Sequence, residues 1–583
     1  MLLRNASVIQ CMVIDNADPC SDTMSCILLL MLVEMRRSKR IIVVPLFKSH
    51  KTLSESKQRD EDRYLQLLNL SFSEHNFFYS FTSDITLTQQ ALTKIQQNKH
   101  QHDTIWIRAD HRFFWNRELV LDLITNTLDD WIVPFMSAYV EVRTDCVVED
   151  MKFTLLFISR RSRYRQGCRF IKRGIDSNGH PANFVETEQI LLLSDGRLSS
   201  YVQIRGSIPL KWSSPVHMKY EPVVFIDDNK EQSAEWSLKH LKELSCEYCD
   251  ASNASNILCI NLVDNKKDQG KLGVVYKEMI DSNRTKLTPS PLTYVWFDFH
   301  HECKQKGKWN NLGKLVSQVD DIFRSQKFFA KSSTGQVTSW QVGVIRTNCM
   351  DNLDRTNVVQ SLFARRSIVF QLDKADKVDL NGAGLMTTPW KNFEVMFKHV
   401  WANNANAISL GYAGTGALKV DFTKTGKRTL KGMFNDGVNS MKRYYINNFT
   451  DGIKQDAIDI MLGNYKPEIS SPSPFGRKAS QEGLSTNITK LFAVLLFTFV
   501  SLLLFVPFIG LLHEIEPRDG TLTASAAVDH NVNYLRKLLL ISLGFTLLVG
   551  MYYSFKIIKK GSVLGAKVVI HPELCPESLP NDR

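Results

Sequence analysis

Cys349 and Arg355 bracket five residues in Cys349-Met350-Asp351-Asn352-Leu353-Asp354-Arg355-Thr356, a spacing that suits a phosphate-binding loop opened by a nucleophile. A thiolate can take a phosphoryl group, and a planar guanidinium can hold two of its oxygens while charge develops on them. Completing such a reaction needs an acid for the leaving alkoxide and a base for the hydrolytic water. Asp351 is the candidate for that work, whereas Asp354 could equally orient Arg355 or cap the next helix. Met350, Asn352, Leu353, Asp354 and Thr356 are candidate phosphate contacts of the same loop. Taken alone the motif is short, and an isolated cysteine is more often a packed thiol.

The flanking residues strengthen the reading. Val342, Val344 and Ile345 predict a short buried strand, while Val358, Val359, Leu362, Phe363, Val369 and Leu372 recur at helical spacing. The loop therefore falls between a strand and a helix N-terminus, where unpaired backbone N–H groups and the helix dipole favour a phosphate or a thiolate. Residues 1–150 mix short apolar segments (41–47, 77–81, 104–107) with helical stretches near 64–70 and 87–95, an α+β subdomain of its own. Residues 151–465 form a larger α/β region with strands at 154–158, 257–263 and 294–299 among helices. Residues 466–490, rich in Ser, Pro and Gly, read as a flexible linker.

Residues 491–512 and 538–558 are two mostly apolar runs of the length that spans a bilayer. Lys490, Lys556, Lys559 and Lys560 flank them, and Glu514, Glu516, Asp519 and Asp529 lie between. The positive-inside tendency makes 513–537 a lumenal loop and 559–583 a cytosolic tail, an arrangement that Arg536 and Lys537 oppose. The 583 residues exceed one ordinary domain, and 44% hydrophobic residues suffice for large cores. Eleven scattered cysteines argue against a secreted disulfide framework, and the lone Cys246/Cys249 pair against a zinc site, so no metal or cofactor is expected. The net charge of +12 suits a protein beside anionic lipid. Basic residues cluster at Lys419, Lys424, Lys427, Arg428, Lys431, Lys442 and Arg443, of which Lys427 and Arg428 are candidate substrate contacts. Nucleic acid is a poor partner for them, since no recognisable binding module accompanies the charge.

The loop, with Asn357 after it, resembles the signature of the Sac-domain phosphoinositide phosphatases. Ile158-Ser159-Arg160-Arg161-Ser162, Arg173-Gly174-Ile175-Asp176, the stretch 182–189, Arg205-Gly206-Ser207-Ile208-Pro209, Phe297-Asp298-Phe299-His300, the stretch 412–419 and Thr425-Gly426-Lys427-Arg428 are similar to that family too. The resemblance implies an N-terminal Sac subdomain, a catalytic subdomain with the thiolate loop, and metal-independent hydrolysis of phosphatidylinositol 4-phosphate, with the 3-phosphate as a lesser substrate. The two spans resemble those of an integral membrane phosphatase of the endoplasmic reticulum and Golgi, with its catalytic domain in the cytosol and lipid-transfer proteins at contact sites as partners. Asn352 stands where the family usually has a second cysteine, Asn403 where it has an aspartate, and residues 1–40 lack the expected opening strands. A protein-tyrosine or dual-specificity phosphatase would use the same cysteine and arginine. A lipid-binding adaptor without activity is the third reading.

Overall fold

The computed structural model describes residues 10–12, 36–37, 42–44, 54–74, 76–97, 104–216, 223–249, 256–287, 291–303, 311–374, 387–418, 420, 424, 429–467, 471–475 and 570–575. Met1–Val216, Tyr220–Pro472 and His571–Arg583 gather into one compact unit, and His217–Lys219 with Ser473–Ile570 into a second. The candidate loop belongs to the first.

The first unit is organised by a mixed sheet of eleven strands. Its strands are β1 (Arg36–Arg37), β2 (Phe77–Tyr79), β3 (Met136–Val148), β4 (Met151–Arg161), β5 (Val185–Leu193), β6 (Leu198–Arg205), β7 (Asn256–Asn261), β8 (Leu292–Trp296), β9 (Phe329–Lys331), β10 (Val337–Ser339) and β11 (Gly343–Asn348). The order runs β8-β7-β11-β6-β5-β4-β3-β2-β1, with β9 on β6 and β10 on β9. The β8, β7, β11 and β6 part is parallel, and from β6 to β1 every pair is antiparallel.

The parallel part is covered on both faces, which is why apolar residues stand at successive positions in Ile257-Leu258-Cys259-Ile260 and Val344-Ile345 rather than alternating. Ile257, Cys259 and Val344 face α2 (Lys230–Tyr248) and α3 (Lys267–Asn283) through Leu241, Leu244, Leu272 and Tyr276. Leu258, Ile260 and Ile345 face α4 (Leu312–Gln326) and α5 (Asp354–Gln371) through Leu315, Val319, Val359 and Phe363. The antiparallel part packs Phe153, Leu155, Phe157 and Leu191 against Phe393, Phe397 and Trp401 of α6 (Lys391–Ala413). Two further helices, α7 (Leu430–Phe449) and α8 (Asp451–Met461), follow.

The expected boundary near residue 150 falls in the turn between β3 and β4, and the sheet runs through it without a break. Residues 1–40 do carry short strands: β1 extends the sheet on β2, and Gln10–Met12 pairs with Ile42–Val44. The segment 104–107 forms a helical turn, Ile105–Arg108, where Trp106 packs on Ala109, Phe114 and Leu123 in a small cluster. Both apolar runs, 491–512 and 538–558, lie outside the described residues, as do Lys419, Lys427 and Arg428. Among the described residues no helix is long and apolar enough to cross a membrane. Of the expected tail, Glu573 and Leu574 each donate a backbone N–H to Asp456 of α8 at 2.9 Å.

One buried charge web joins the early residues to the sheet. Arg160 donates to Glu186 at 3.0 Å and Glu188 at 2.7 Å, and to the carbonyls of Ile85 and Leu87, both at 2.9 Å. Glu188 also accepts from the N–H of Gln89, and Glu186 from the hydroxyl of Tyr248 on α2. Removing the cation strands two buried carboxylates, a loss of about 3–5 kcal/mol. Arg160→Met should therefore unfold at a clearly lower urea concentration than the wild type, as followed by tryptophan fluorescence. An unchanged midpoint would remove the web from the account of stability.

Candidate active site

The loop begins where β11 ends. Asn261 of β7 pairs with Asn348, and Arg205 of β6 with Thr347, so three parallel strands stop together beneath Cys349. Asn348 Nδ2 donates to Asn261 Oδ1 at 2.7 Å and the N–H of Leu262 to the Asn348 carbonyl at 2.8 Å, which pins the strand ends. Gly343 lets β11 lie close to β7, because a Cβ there would strike the Asn256 carbonyl. Cys349 is buried at 3% exposure, and α5 begins five residues later at Asp354. Asn352 carries a φ of 54°, a left-handed turn that aims the chain into the helix.

The loop residues divide by environment. Leu353 is apolar packing, set against Val185, Ile408, Tyr412 and Ala413, and Met350 lies against the core over the parallel strands. Asn352 and Thr356 are fully buried, and among the described residues neither the Asn352 amide nor the Thr356 hydroxyl has a hydrogen-bond partner. The Asp354 carboxylate accepts from the N–H of Leu418, tying the helix start to the segment after α6.

Asp351 is clamped. Arg169 and Arg173 each reach one of its oxygens at 2.5 Å, and Arg173 also donates to the Met350 carbonyl at 2.7 Å. Burial opposes the ionised form, but the two guanidiniums outweigh it and hold the carboxyl well below the usual carboxylate range. While the clamp holds, Asp351 carries no proton to give at neutral pH. The hydroxyl of Tyr412 donates to the carbonyls of Arg169 and Lys172, at 3.1 and 2.9 Å, and so fixes the strap that bears the clamp.

Arg355 is held by groups that follow β7. It donates to the Leu262 carbonyl at 2.9 Å, to Asp264 at 3.0 Å and to Gln269 at 3.3 Å. Asp264 in turn meets His300 Nδ1 at 2.9 Å. The loop thus brings Cys349 and Asp351 together with cations, and holds Arg355 on a neighbouring carboxylate.

Arg205 was not singled out by spacing, yet it is the most unusual side chain here. It has no solvent exposure, its Nη2 donates to Asn357 at 3.3 Å, and its Nε and Nη1 have no partner among the described residues. Among the described residues no carboxylate pairs with it. Burial pulls its guanidinium down to about 9, and Cys349 is the group acting in the opposite direction. Arg173 also interacts electrostatically with Cys349. Arg169, Arg173, Arg205 and Asp264 are distant in sequence and carry no periodic signal; for Arg173 and Arg205 the motifs around them are the available clue. Asn403 donates to Glu141 at 3.2 Å, and its neighbour Asn404 reaches Asn357 at 3.4 Å. Arg443, one of the clustered basic residues, is buried and donates to Thr415, Ser409 and the Gly416 carbonyl.

A cysteine and an arginine with five residues between them, set between a buried parallel strand and a helix, define a candidate phosphate loop. Comparison with known proteins gives the family. The SacI homology domain matches residues 15–304. The chain is 40% identical over 414 residues to the phosphatidylinositol-3-phosphatase SAC1-A of Danio rerio, covering 71% of this chain and 68% of that one. It is 36% identical over 433 residues to the phosphatidylinositol-3-phosphatase SAC1 of Saccharomyces cerevisiae, covering 71% and 66%, and 34% identical over 446 residues to the phosphoinositide phosphatase SAC6 of Arabidopsis thaliana, covering 76% and 72%. The chain belongs to the SacI-homology family of phosphoinositide phosphatases.

The Asp351 clamp makes a measurable claim about stability. A carboxyl whose folded pKa is depressed contributes stability above its unfolded value of about 3.9, and loses it as pH falls through the folded value. The stability difference between wild type and Asp351→Asn should stay level from pH 8 to about 5 and shrink steadily below about 4. Urea unfolding of both proteins across that range checks it, and a difference that instead grows in acid would mean the clamp does not hold in solution.

Proposed function

We propose that this protein is a membrane-anchored phosphatase that converts phosphatidylinositol 4-phosphate, and to a lesser extent the 3-phosphate, to phosphatidylinositol through a cysteinyl-phosphate. The observation that carries this reading is Cys349, buried between β11 and α5 under the influence of Arg173 and the enclosed Arg205. The names of the Danio rerio and yeast relatives support the 3-phosphate, and the motif resemblance supports the 4-phosphate.

In this mechanism the thiolate of Cys349 attacks phosphorus and the bond from phosphorus to the inositol oxygen breaks, the alkoxide leaving with a proton. Water then attacks phosphorus, a base takes its proton, and the P–S bond breaks to return the thiolate and free phosphate. Arg355 has to exchange Asp264 for the phosphate oxygens, a bidentate contact that lysine cannot reproduce. A dianionic phosphate also competes with Asp351 for Arg169 and Arg173. Its arrival loosens the clamp, raises the proton affinity of Asp351 and lets that carboxyl serve as acid and then as base. Arg205 is a positioning residue: it supplies a fixed positive charge beside sulfur in a site closed to water, where such a charge acts most strongly.

Segments 491–512 and 538–558 anchor the chain in endoplasmic reticulum and Golgi membranes in this reading. Two spans return the chain to the side from which it started, which agrees with the contact of Glu573 and Leu574 on Asp456 within the catalytic unit. Lys427 and Arg428 then approach the anionic lipid surface, and lipid-transfer proteins at contact sites supply substrate.

Cys349→Ser should abolish turnover of short-chain phosphoinositides, with a phosphotyrosine peptide as the comparison substrate; substantial residual turnover would rule out the covalent route. Arg205→Gln should lower kcat on short-chain phosphoinositide at least about tenfold, and Arg205→Lys, which keeps the positive charge, should retain more of it; equal losses would mean that the role is only structural. Removal of residues 491–583 should spare activity on soluble substrate yet release the protein from membranes. Retention on endoplasmic reticulum and Golgi membranes after that truncation would sink the proposed anchor.

A further inference from the structure

Helix α7 is fixed mainly by its second half. Arg443, in its fourth turn, is buried and bonded to Thr415, Ser409 and the Gly416 carbonyl, and it interacts electrostatically with Asp354 and Asp351 of the Cys349 loop. Asn447, Asn448 and Phe449 are buried beyond it, and of the described residues of α7 Gly432 is the only one buried ahead of it.

The first half opens with an apolar stripe. Thr429 caps the helix, its Oγ1 accepting from the N–H of Gly432 at 2.9 Å, so the helical spacing starts at Leu430. Leu430, Met433 and Phe434, at positions i, i+3 and i+4, share one face and are 82%, 48% and 50% exposed. Gly437, the next position on that face, has open space beside it. Apolar side chains grouped in this way on a surface mark a contact.

The charge around the stripe identifies the partner. Residues 419–443 carry seven lysines and arginines against two aspartates, so the segment favours an anionic surface. Lys431 and Lys442 are exposed on the helix itself. Three side chains are too few for a stable protein interface, which takes about 20–30 residues a side, whereas a helix at a lipid surface needs only a short apolar face with cations beside it. At about 1.5 Å per residue, α7 places Phe434 about 14 Å along its axis from Arg443, so one continuous helix ties the apolar turn to the Cys349 loop.

We propose that Leu430, Met433 and Phe434 form a wedge that enters the interface of an anionic bilayer, with the neighbouring basic residues on the headgroups. The inference rests on the reading of the substrate as a lipid, and it adds an apolar insertion to the electrostatic approach of Lys427 and Arg428. None of the three side chains belongs to the catalytic loop.

The full-length protein carrying Phe434→Trp is reconstituted in vesicles of phosphatidylcholine and phosphatidylserine, and the wild-type tryptophan emission is subtracted. Replacing the phosphatidylcholine by its dibrominated form should quench the added indole, and acrylamide in the water should quench it only weakly. Leu430→Ser combined with Phe434→Ser should lower turnover of phosphoinositide in vesicles at least about fivefold, while kcat and KM on soluble short-chain substrate keep their wild-type values. The loss should remain at high salt, where the basic residues contribute least. An added indole that brominated lipid leaves bright would overturn the proposal, and its shielding from acrylamide only at high protein concentration would assign the face to a second copy of the chain instead. Equal losses on vesicle and soluble substrate would also overturn it, because the side chains would then be serving the fold. Absence of wild-type turnover on either substrate counts against the phosphatase reading, while the bromine result still decides the wedge.

Discussion

Everything at the candidate site depends on β11 lying parallel between β7 and β6. Because those three strands run the same way, their carboxyl ends stop at one edge, and the chain leaving each must turn there. Leu262 and Asp264 follow β7, Ser207 follows β6 and Cys349 follows β11, so residues far apart in sequence converge without any long loop reaching across. An antiparallel neighbour would have placed a strand start beside Cys349 and removed one of the three contributions. Ligand sites of open α/β sheets form in this crevice at the carboxyl ends. Here the sheet also changes character at β6, which is parallel to β11 and antiparallel to β5.

That convergence concentrates positive charge in a place where water cannot dissipate it. Arg205 is enclosed with two nitrogens unsatisfied, while Arg169 and Arg173 spend their charge on Asp351 and Arg355 spends its own on Asp264. The difference decides what each can do. A paired guanidinium must trade partners before it can meet a phosphate, at the cost of leaving a carboxylate exposed to its other neighbours. An unpaired one needs no exchange of partners. In the proposed mechanism the site is thus fixed at Arg205 and adjustable at the paired arginines, whose carboxylate partners are held by the strap 169–173 and by His300.

How much of this is legible in the sequence follows from the kind of signal each residue carries. The strand ending at Asn348 and the helix from Asp354 to Gln371 are legible because apolar residues recur with the period of the element, and the Cys-x5-Arg spacing between them marks the loop. Within the loop, the packing of the Leu353 side chain on Val185, Ile408, Tyr412 and Ala413 is not legible in the spacing. Charged residues have no period of their own. Nothing in spacing distinguishes Arg205, fully buried, from an arginine on an exposed strand, or reveals that Arg443 sits inside the fold among Thr415, Ser409 and Gly416. Short segments fail for a related reason. The apolar pair Ile105 and Trp106 suits a strand or a helical turn equally, and packing on Phe114 and Leu123 decides it.

Asn352, at the position where the resembling family signature has a second cysteine, answers to backbone conformation. That position is the left-handed turn of the loop, at a φ of 54°, a conformation that asparagine adopts more readily than most side chains. Its amide is buried without partners and its backbone does the turning, so the residue contributes geometry more than chemistry. Asp351, one residue earlier, contributes charge that two arginines hold in place. Neighbouring loop positions thus answer to different constraints, one to backbone conformation and the other to electrostatics, and a substitution at one need not disturb the other.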